Sequence, residues 1–257
     1  MSRDRRQRLL QMGGAFRLSS IGSLILDLNP DTLVENDGDV VASFLDSVAW
    51  HDFAQSDNGK RPLLKKGANG INGHNVVLFD GIDDLLVYAG SLSAATAGTV
   101  FIVYRFTAAM AGGTQEILGS ADVASANYYW AIRISKSGAL PFFEFLQKNN
   151  DTDDTVRGST SQVAGTTDIG CWRSTGTEYL ASINGSTETL TVITGGNTGD
   201  WLGDTPNRDN ITLGALKFIS EAERFKGAVA RVLMFSENLS EANLSAVTKY
   251  LNQLYAP

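Results

Sequence analysis

From residue 21 onward, short apolar or alternating runs are separated by clusters of Gly, Asn, Asp and Ser. That punctuation predicts strands joined by tight turns. Runs of this kind are Val76–Phe79, Leu85–Tyr88, Thr99–Phe106, Glu116–Leu118, Tyr128–Ile134, Phe142–Leu146, Ile169–Arg173, Glu178–Ile183, Glu188–Ile193, Ile211–Leu213 and Ala228–Phe235. In Tyr128–Ile134 the period is two: Trp130, Ile132 and Ile134 share one face, Ala131 and Arg133 the other. Successive side chains of a strand point to opposite sheet faces, so each such strand has one buried side. Asn184-Gly185 falls between two runs, and both residues tolerate positive φ, which predicts a hairpin turn.

One segment of this body has helical spacing. In Glu241–Tyr255 the residues Leu244, Val247, Leu251 and Leu254 recur at intervals of three and four, with Ser240 placed to cap the first turn. Residues 1–20 differ in character and read as an arm. Arg3 to Met12 fits a short helix with Leu9, Leu10 and Met12 on its apolar side, stopped by Gly13-Gly14. No fixed-period repeat and no linker divides residues 21–257, which read as one domain.

Composition narrows the picture. With 43% apolar and 19% charged residues, 257 residues can bury a sizeable core. The 26 glycines against five prolines suit many tight turns. The net charge of −7 argues against a general nucleic-acid binder, which needs a basic surface. The charge is uneven: residues 1–17 carry +4 (five arginines against Asp4), leaving −11 on the other 240. A basic arm on an acidic body suggests that the arm has its own partner. Cys171 is the only cysteine, which excludes an internal disulfide. No apolar core of signal-peptide length follows the first arginines, so synthesis and folding in the cytoplasm are expected. No run reaches the ~20 apolar residues of a membrane span.

Three segments together resemble the concanavalin A-like lectin/glucanase superfamily in its laminin G-like, pentraxin-like branch. In residues 48–88 the matching positions are Trp50, Asp52, Asn58, Gly59, Arg61, Pro62, Asn72, Gly73, Val77, Phe79, Asp80, Gly81, Asp83, Asp84 and Leu86. Residues 179–188, YLASINGSTE, look like a strand ending in Asn-Gly that follows the central strands. Residues 225–256 look like the branch's last core strand and the helix after it. The resemblance implies an all-β fold: a two-sheet antiparallel jelly-roll β-sandwich with an N-terminal arm and a C-terminal helix. Phe79 and Leu86 would face the core and Gly81 would make the turn between their strands.

Candidate chemistry points to binding. The glucanase branch carries a Glu-x-Asp-x-x-Glu strand, because retaining hydrolysis needs two carboxylates about 5 Å apart. Here Glu144 stands alone in FFEFLQ, and Glu221-Ala-Glu223 lacks the central Asp. His51 and His74 have no recognisable nucleophile, and Cys171 in an apolar-flanked strand reads as an inert thiol. No enzymatic activity is expected. Asp80, Asp83 and Asp84, or Asp151, Asp153 and Asp154, offer hard oxygen ligands for calcium. Turn capping and a solvated loop account for them, so no metal or cofactor is expected. For glycan binding the best segment is the loop 194–210, which sets Trp201 among Asn197, Asp200, Asp204, Asn207 and Arg208. A ring that anchors the loop onto the core is the competing reading of Trp201.

Two functions follow. In the first, the chain is a structural protein on a virus-like particle, a phage capsid decoration or tail-associated protein. It would dock through Arg3, Arg5, Arg6, Arg8, Leu9, Leu10 and Phe16 onto other virion proteins or symmetry mates, with host-glycan binding as an added role. The alternative is a free carbohydrate-binding or adhesion module. Neither involves specific nucleic acid or membrane insertion.

Overall fold

In a computed structural model the described residues are 16–107, 113–150 and 152–255, and they form nineteen strands and one α-helix. The early part of the chain contributes short strands: β1 (Leu24–Leu28), β2 (Ser43–Leu45), β3 (Asp52–Ala54), β4 (Leu63–Lys65), β5 (Val76–Asp80) and β6 (Leu86–Tyr88). The long strands follow: β7 (Gly98–Phe106), β8 (Gly113–Ala121), β9 (Tyr128–Ser137), β10 (Leu140–Asn149), β11 (Thr152–Ser161) and β12 (Asp168–Ser174). Then come β13 (Tyr179–Ile183), β14 (Ser186–Thr187), β15 (Thr191–Thr194), β16 (Ile211–Leu213), β17 (Leu216–Lys217), β18 (Glu221–Ala222) and β19 (Lys226–Phe235), before α1 (Glu241–Tyr255).

Two antiparallel sheets make a sandwich, as the period-two runs predict. One is eight-stranded, ordered β14-β13-β12-β7-β19-β5-β4, with β1 on the far half of β19. The other is nine-stranded, ordered β15-β11-β10-β9-β8-β16-β6-β3-β2. Strands β8 to β11 follow one another as a meander, but β12-β7, β7-β19, β19-β5, β8-β16 and β15-β11 join segments far apart in sequence, a jelly-roll-like winding. The strands β17 and β18 pair with each other as a separate hairpin.

The core lies between the sheets. Trp130, Ile132 and Ile134 of β9 face Tyr104 of β7 and Trp172 of β12, along with Phe79 and Leu86, all buried in one cluster. Gly81 holds φ of 76° at the turn between β5 and β6, a conformation that disfavours a side chain. Asn184 and Gly185 take φ of 53° and 83°, both positive as a two-residue type I′ hairpin requires.

A second apolar cluster sits on the outer face of the eight-stranded sheet. There α1 lays Val247, Leu251 and Tyr255 over Phe101, Val103, Ala228 and Leu233. The Ser240 hydroxyl accepts from the Asn243 amide at 3.3 Å, and its carbonyl accepts from Leu244 at 2.8 Å, as the expected cap should.

Three expectations need correction. Thr152–Ser161 is a full strand, although Asp153 and Asp154 suggested a loop; it pairs along its length with β10, and its middle residues Asp154, Thr155 and Val156 are buried. Four short strands, β1 to β4, carry no clear alternation in sequence: β1 forms on the long β19, β4 on β5, and β2 and β3 on each other beside β6. Phe16, assigned to a docking arm, packs at 5.8 Å against Tyr250 of the chain's own helix, and Leu18 and Ile21 are buried in the same cluster. The apolar burial available under α1 therefore draws the end of the arm into the body. Arg3, Arg5, Arg6, Arg8, Leu9 and Leu10 lie outside the described residues.

Candidate functional site

Of the two readings of Trp201, the structure has the ring that anchors its loop onto the core. Trp201 is 1% exposed. Its ring stacks on Phe145 at 5.3 Å and on Trp130 at 6.0 Å, planes within about 11° of parallel. The indole edge lies over Gly98, where a Cβ would stand 2.1 Å from Nε1; only glycine lets the strand pass so close. A ring this deeply buried has no face left for a sugar, so Trp201 is removed as a ligand contact.

Its loop neighbours are structural too. The Asn197 carboxamide accepts from the Tyr179 amide at 2.5 Å and donates back to the Tyr179 carbonyl at 3.3 Å. Asp200 accepts the Tyr179 hydroxyl on its backbone carbonyl at 2.8 Å. Its own carboxyl is pushed up by burial and by the nearby Asp204 and Asp154. Arg208 is buried and staples the loop from inside, donating to the carbonyls of Leu202, Thr205 and Ser93 and to the Ser120 hydroxyl. Asn207 is exposed, at φ of 60°, a turn residue.

The aspartate clusters behave as turn chemistry. Asp80 Oδ1 accepts from the Ile82 and Asp83 amides at 2.7 and 3.3 Å, and Asp84 Oδ2 accepts from the Asp80 amide at 2.8 Å. Carboxylate oxygens of Asp80, Asp83 and Asp84 lie within 4.8 Å of one another. Burial lifts the Asp84 carboxyl to about 6. In the other cluster Asp154 is buried and accepts from the Gly196 amide at 2.6 Å and the Thr198 hydroxyl at 2.7 Å. Asp153 lies 4.0 Å from the Lys148 ammonium, and Asp151 is outside the described residues.

Side chains with catalytic potential are engaged elsewhere. His51 Nδ1 lies 2.9 Å from Asp46 Oδ2, and His74 Nδ1 2.7 Å from Asp31 Oδ2. Cys171 is buried and its thiol is pushed up to about 12 by burial. Glu144, which stands alone in sequence, is not alone in space.

Glu144 is the centre of a charged row that crosses the outer face of the nine-stranded sheet. The register sets Glu116 of β8 opposite Arg133 of β9, Arg133 opposite Glu144 of β10, and Glu144 opposite Arg157 of β11. Four adjacent strands thus line up alternating signs, the favourable cross-strand arrangement. Arg133 donates to Glu144 Oε1 at 2.8 Å from Nε, and Arg157 donates to Oε2 at 2.9 Å from Nε. The second contacts, 2.6 Å from Arg133 and 2.8 Å from Arg157, come from Nη2. Such paired donor contacts fix both guanidinium planes. The Arg157 guanidinium also lies 5.4 Å from the centre of the Phe142 ring.

Glu116 completes the row less fully. Its Oε1 is 3.5 Å from Arg133 Nη1, while Oε2 is buried and has no hydrogen-bond partner. Burial pushes its carboxyl up to about 8, against the pull of Arg133 and with a further push from Glu223. The row thus sets two guanidiniums against two carboxyls, and burial holds one of those carboxyls, that of Glu116, toward its neutral form. Beside it, Tyr129 stacks on Phe218 at 5.7 Å, just past β17. Both arginines keep a small exposed fraction, 15% of the side chain each.

Sequence reasoning missed this row because its members sit one per strand, 11 to 17 residues apart along the chain. The one visible signal was an Arg or Glu on the polar phase of three otherwise apolar strands.

No protein-family model matches the chain, and no curated protein is similar to it in sequence. Solved structures are similar in fold. The CBM40 domain of the Ruminococcus gnavus IT-sialidase, bound to α2,3-sialyllactose, superposes with a TM-score of 0.51 at 19% identity, over 60% of this chain and 83% of that one. The same domain bound to α2,6-sialyllactose gives 0.50 at 20% identity, over 60% and 84%. The binding domain of botulinum neurotoxin serotype C1 gives 0.56 at 12% identity, covering 90% of this chain and 52% of that one. At such identities the likeness is one of fold, and this chain shares the lectin-like β-sandwich of these binding domains.

Proposed function

We propose that the chain is a non-catalytic carbohydrate-binding module that takes an acidic sugar on the outer face of its nine-stranded sheet. One observation carries the reading. Arg133 and Arg157 are fixed on either side of Glu144, beside a carboxyl that burial holds toward its neutral form, so two guanidiniums stand together on one sheet face of an acidic protein. A rigid guanidinium matches a carboxylate better than a flexible ammonium does. The glycan reading draws support from the shared fold with a domain bound to sialyllactose, and it displaces a particle-docking role as the principal function.

The non-catalytic reading draws on the same geometry. Both carboxylate oxygens of Glu144 are engaged, Oε1 by Arg133 and Oε2 by Arg157. The row's second carboxyl, Glu116, is two strands from Glu144 with the Arg133 guanidinium between them, so the two lack the close spacing of a retaining hydrolase.

The test is a glycan array spanning sialylated, uronic-acid and neutral glycans, read with the whole chain. Retention on acidic glycans, reduced about ten-fold or more by Arg157→Ala, is the expected result, that being about 1.4 kcal/mol. Equal retention of acidic glycans by Arg157→Ala with the fold intact refutes the site. Turnover of any glycan that Glu144→Gln abolishes refutes the non-catalytic reading.

A further inference from the structure

The tight loop between β2 and β3 exposes an aromatic ring at a place where the backbone is otherwise fixed. Trp50 is 74% exposed and holds φ of 64°. A bulky residue with positive φ is unusual and persists only where the surroundings impose it. The surroundings do so here. Asp46 is fully buried, and its Oδ1 accepts from the Val48 and Ala49 amides at 2.8 and 3.2 Å. Its Oδ2 accepts from the His51 amide at 2.7 Å, and its own amide donates to the His51 carbonyl at 3.0 Å. The His51 ring then rests edge-on against Tyr88 at 4.6 Å.

The chain is thus clamped on both sides of Trp50, while the indole enters no hydrogen bond or ring contact among the described residues. The three other tryptophans, Trp130, Trp172 and Trp201, are each at most 1% exposed. A protein that buries every other indole and strains its backbone to expose this one presents a surface fixed in advance. Preorganisation lowers the ordering cost of binding.

The surroundings define the ligand. Asp52, two residues on, is exposed and its Oδ1 accepts from the Ser43 hydroxyl at 2.6 Å; a strand register places both on one face of β2 and β3. An exposed flat ring in the loop that leads into this carboxylate–hydroxyl pair suits a sugar, whose C–H face stacks while its hydroxyls hydrogen-bond. A protein interface would need about 800 Å² of contiguous surface per partner. From this we infer that Trp50 is a stacking platform for a neutral pyranose, with Asp52 and Ser43 as its hydroxyl partners. The inference rests on the glycan-binding reading but is independent of Arg133 and Arg157.

Because Trp50 is the one exposed tryptophan, its fluorescence reports the site directly. The probes are lactose, methyl α-mannoside, methyl α-glucoside and N-acetylglucosamine, all uncharged, added to the whole chain. At least one should shield Trp50 from acrylamide quenching and shift its emission to the blue. Trp50→Ala should remove the quenchable component and weaken that sugar about ten-fold, with Trp50→Phe weakening it far less. Shielding by none of the four overturns the platform. So does shielding that grows with protein concentration in the absence of sugar, which would assign Trp50 to a contact between copies. If an acidic glycan is still retained, is lost in Arg157→Ala and is unaffected by Trp50→Ala, the platform fails while the module reading stands. If a neutral sugar shields Trp50 and no acidic glycan is retained, the platform stands and the arginine site fails.

Discussion

Replacing Trp201 with alanine separates a core role from a ligand role. The side chain is 1% exposed and stacks on two aromatic rings within 6.0 Å. Truncating a buried Trp costs about 3–5 kcal/mol from lost transfer energy and the cavity left behind. Each lost ring pair adds about 0.5–1.5 kcal/mol. The indole N–H is buried without a partner, so its removal returns part of that sum. A net loss of about 4 kcal/mol is expected, which for a chain of this size lowers the melting temperature by about 8–16 °C. Trp201→Phe keeps the stacking, sheds the unpaired N–H, and should lose less than about half as much. The assay is urea unfolding followed by far-ultraviolet circular dichroism, with the slope checked for constancy across variants. A loss under about 1 kcal/mol for Trp201→Ala would mean the ring is not held in the core, and the reasoning would fail.

Further outcomes follow from the same geometry. Glu116 is lifted to about 8 in the folded chain, above its ordinary value, so folding binds its proton. The stability it permits is full below the unfolded value near 4.5 and falls as pH rises through about 8. Urea midpoints of the native protein should therefore decline between pH 5 and pH 8, and Glu116→Gln should flatten that decline; an unchanged slope would refute the assignment. Cys171, buried with its thiol near 12, should fail to react with a disulfide reagent at pH 8 until the chain is unfolded. Leu251→Ala should destabilise by about 2–5 kcal/mol, because the helix residue is fully buried on the sheet. Gly185→Ala should cost about 1 kcal/mol in a thermal scan, since φ of 83° disfavours a Cβ and Thr248 stands 3.0 Å from its place.

Much of the fold was present in the order of residues. Alternation in Tyr128–Ile134 assigned Trp130, Ile132 and Ile134 to the core, because a strand's side chains change face at each step. Asn184-Gly185 fixed a hairpin, since few other pairs accept two positive φ angles. Ser240 and the spacing from Leu244 to Leu254 fixed the helix and the face it buries. These are local properties, and each is complete within a window of a dozen residues.

What depended on the tertiary structure was every question of direction and neighbour. Polar flanks made the loop of Trp201 look like a binding loop, yet Gly98, over a hundred residues earlier, opens the slot the indole enters. Thr152–Ser161 has too few apolar residues to announce a strand; it becomes one because β10 offers it a ladder and Glu144 offers Arg157 a partner. The charged row needs four strands in register, and register is set by the whole sheet's burial rather than by any one segment. The raised carboxyl of Glu116 and the exposure of Trp50 likewise follow from what surrounds them. Residue type and spacing determine which face of an element is apolar, but only the assembled sheets decide which polar groups meet and which ring is left in water.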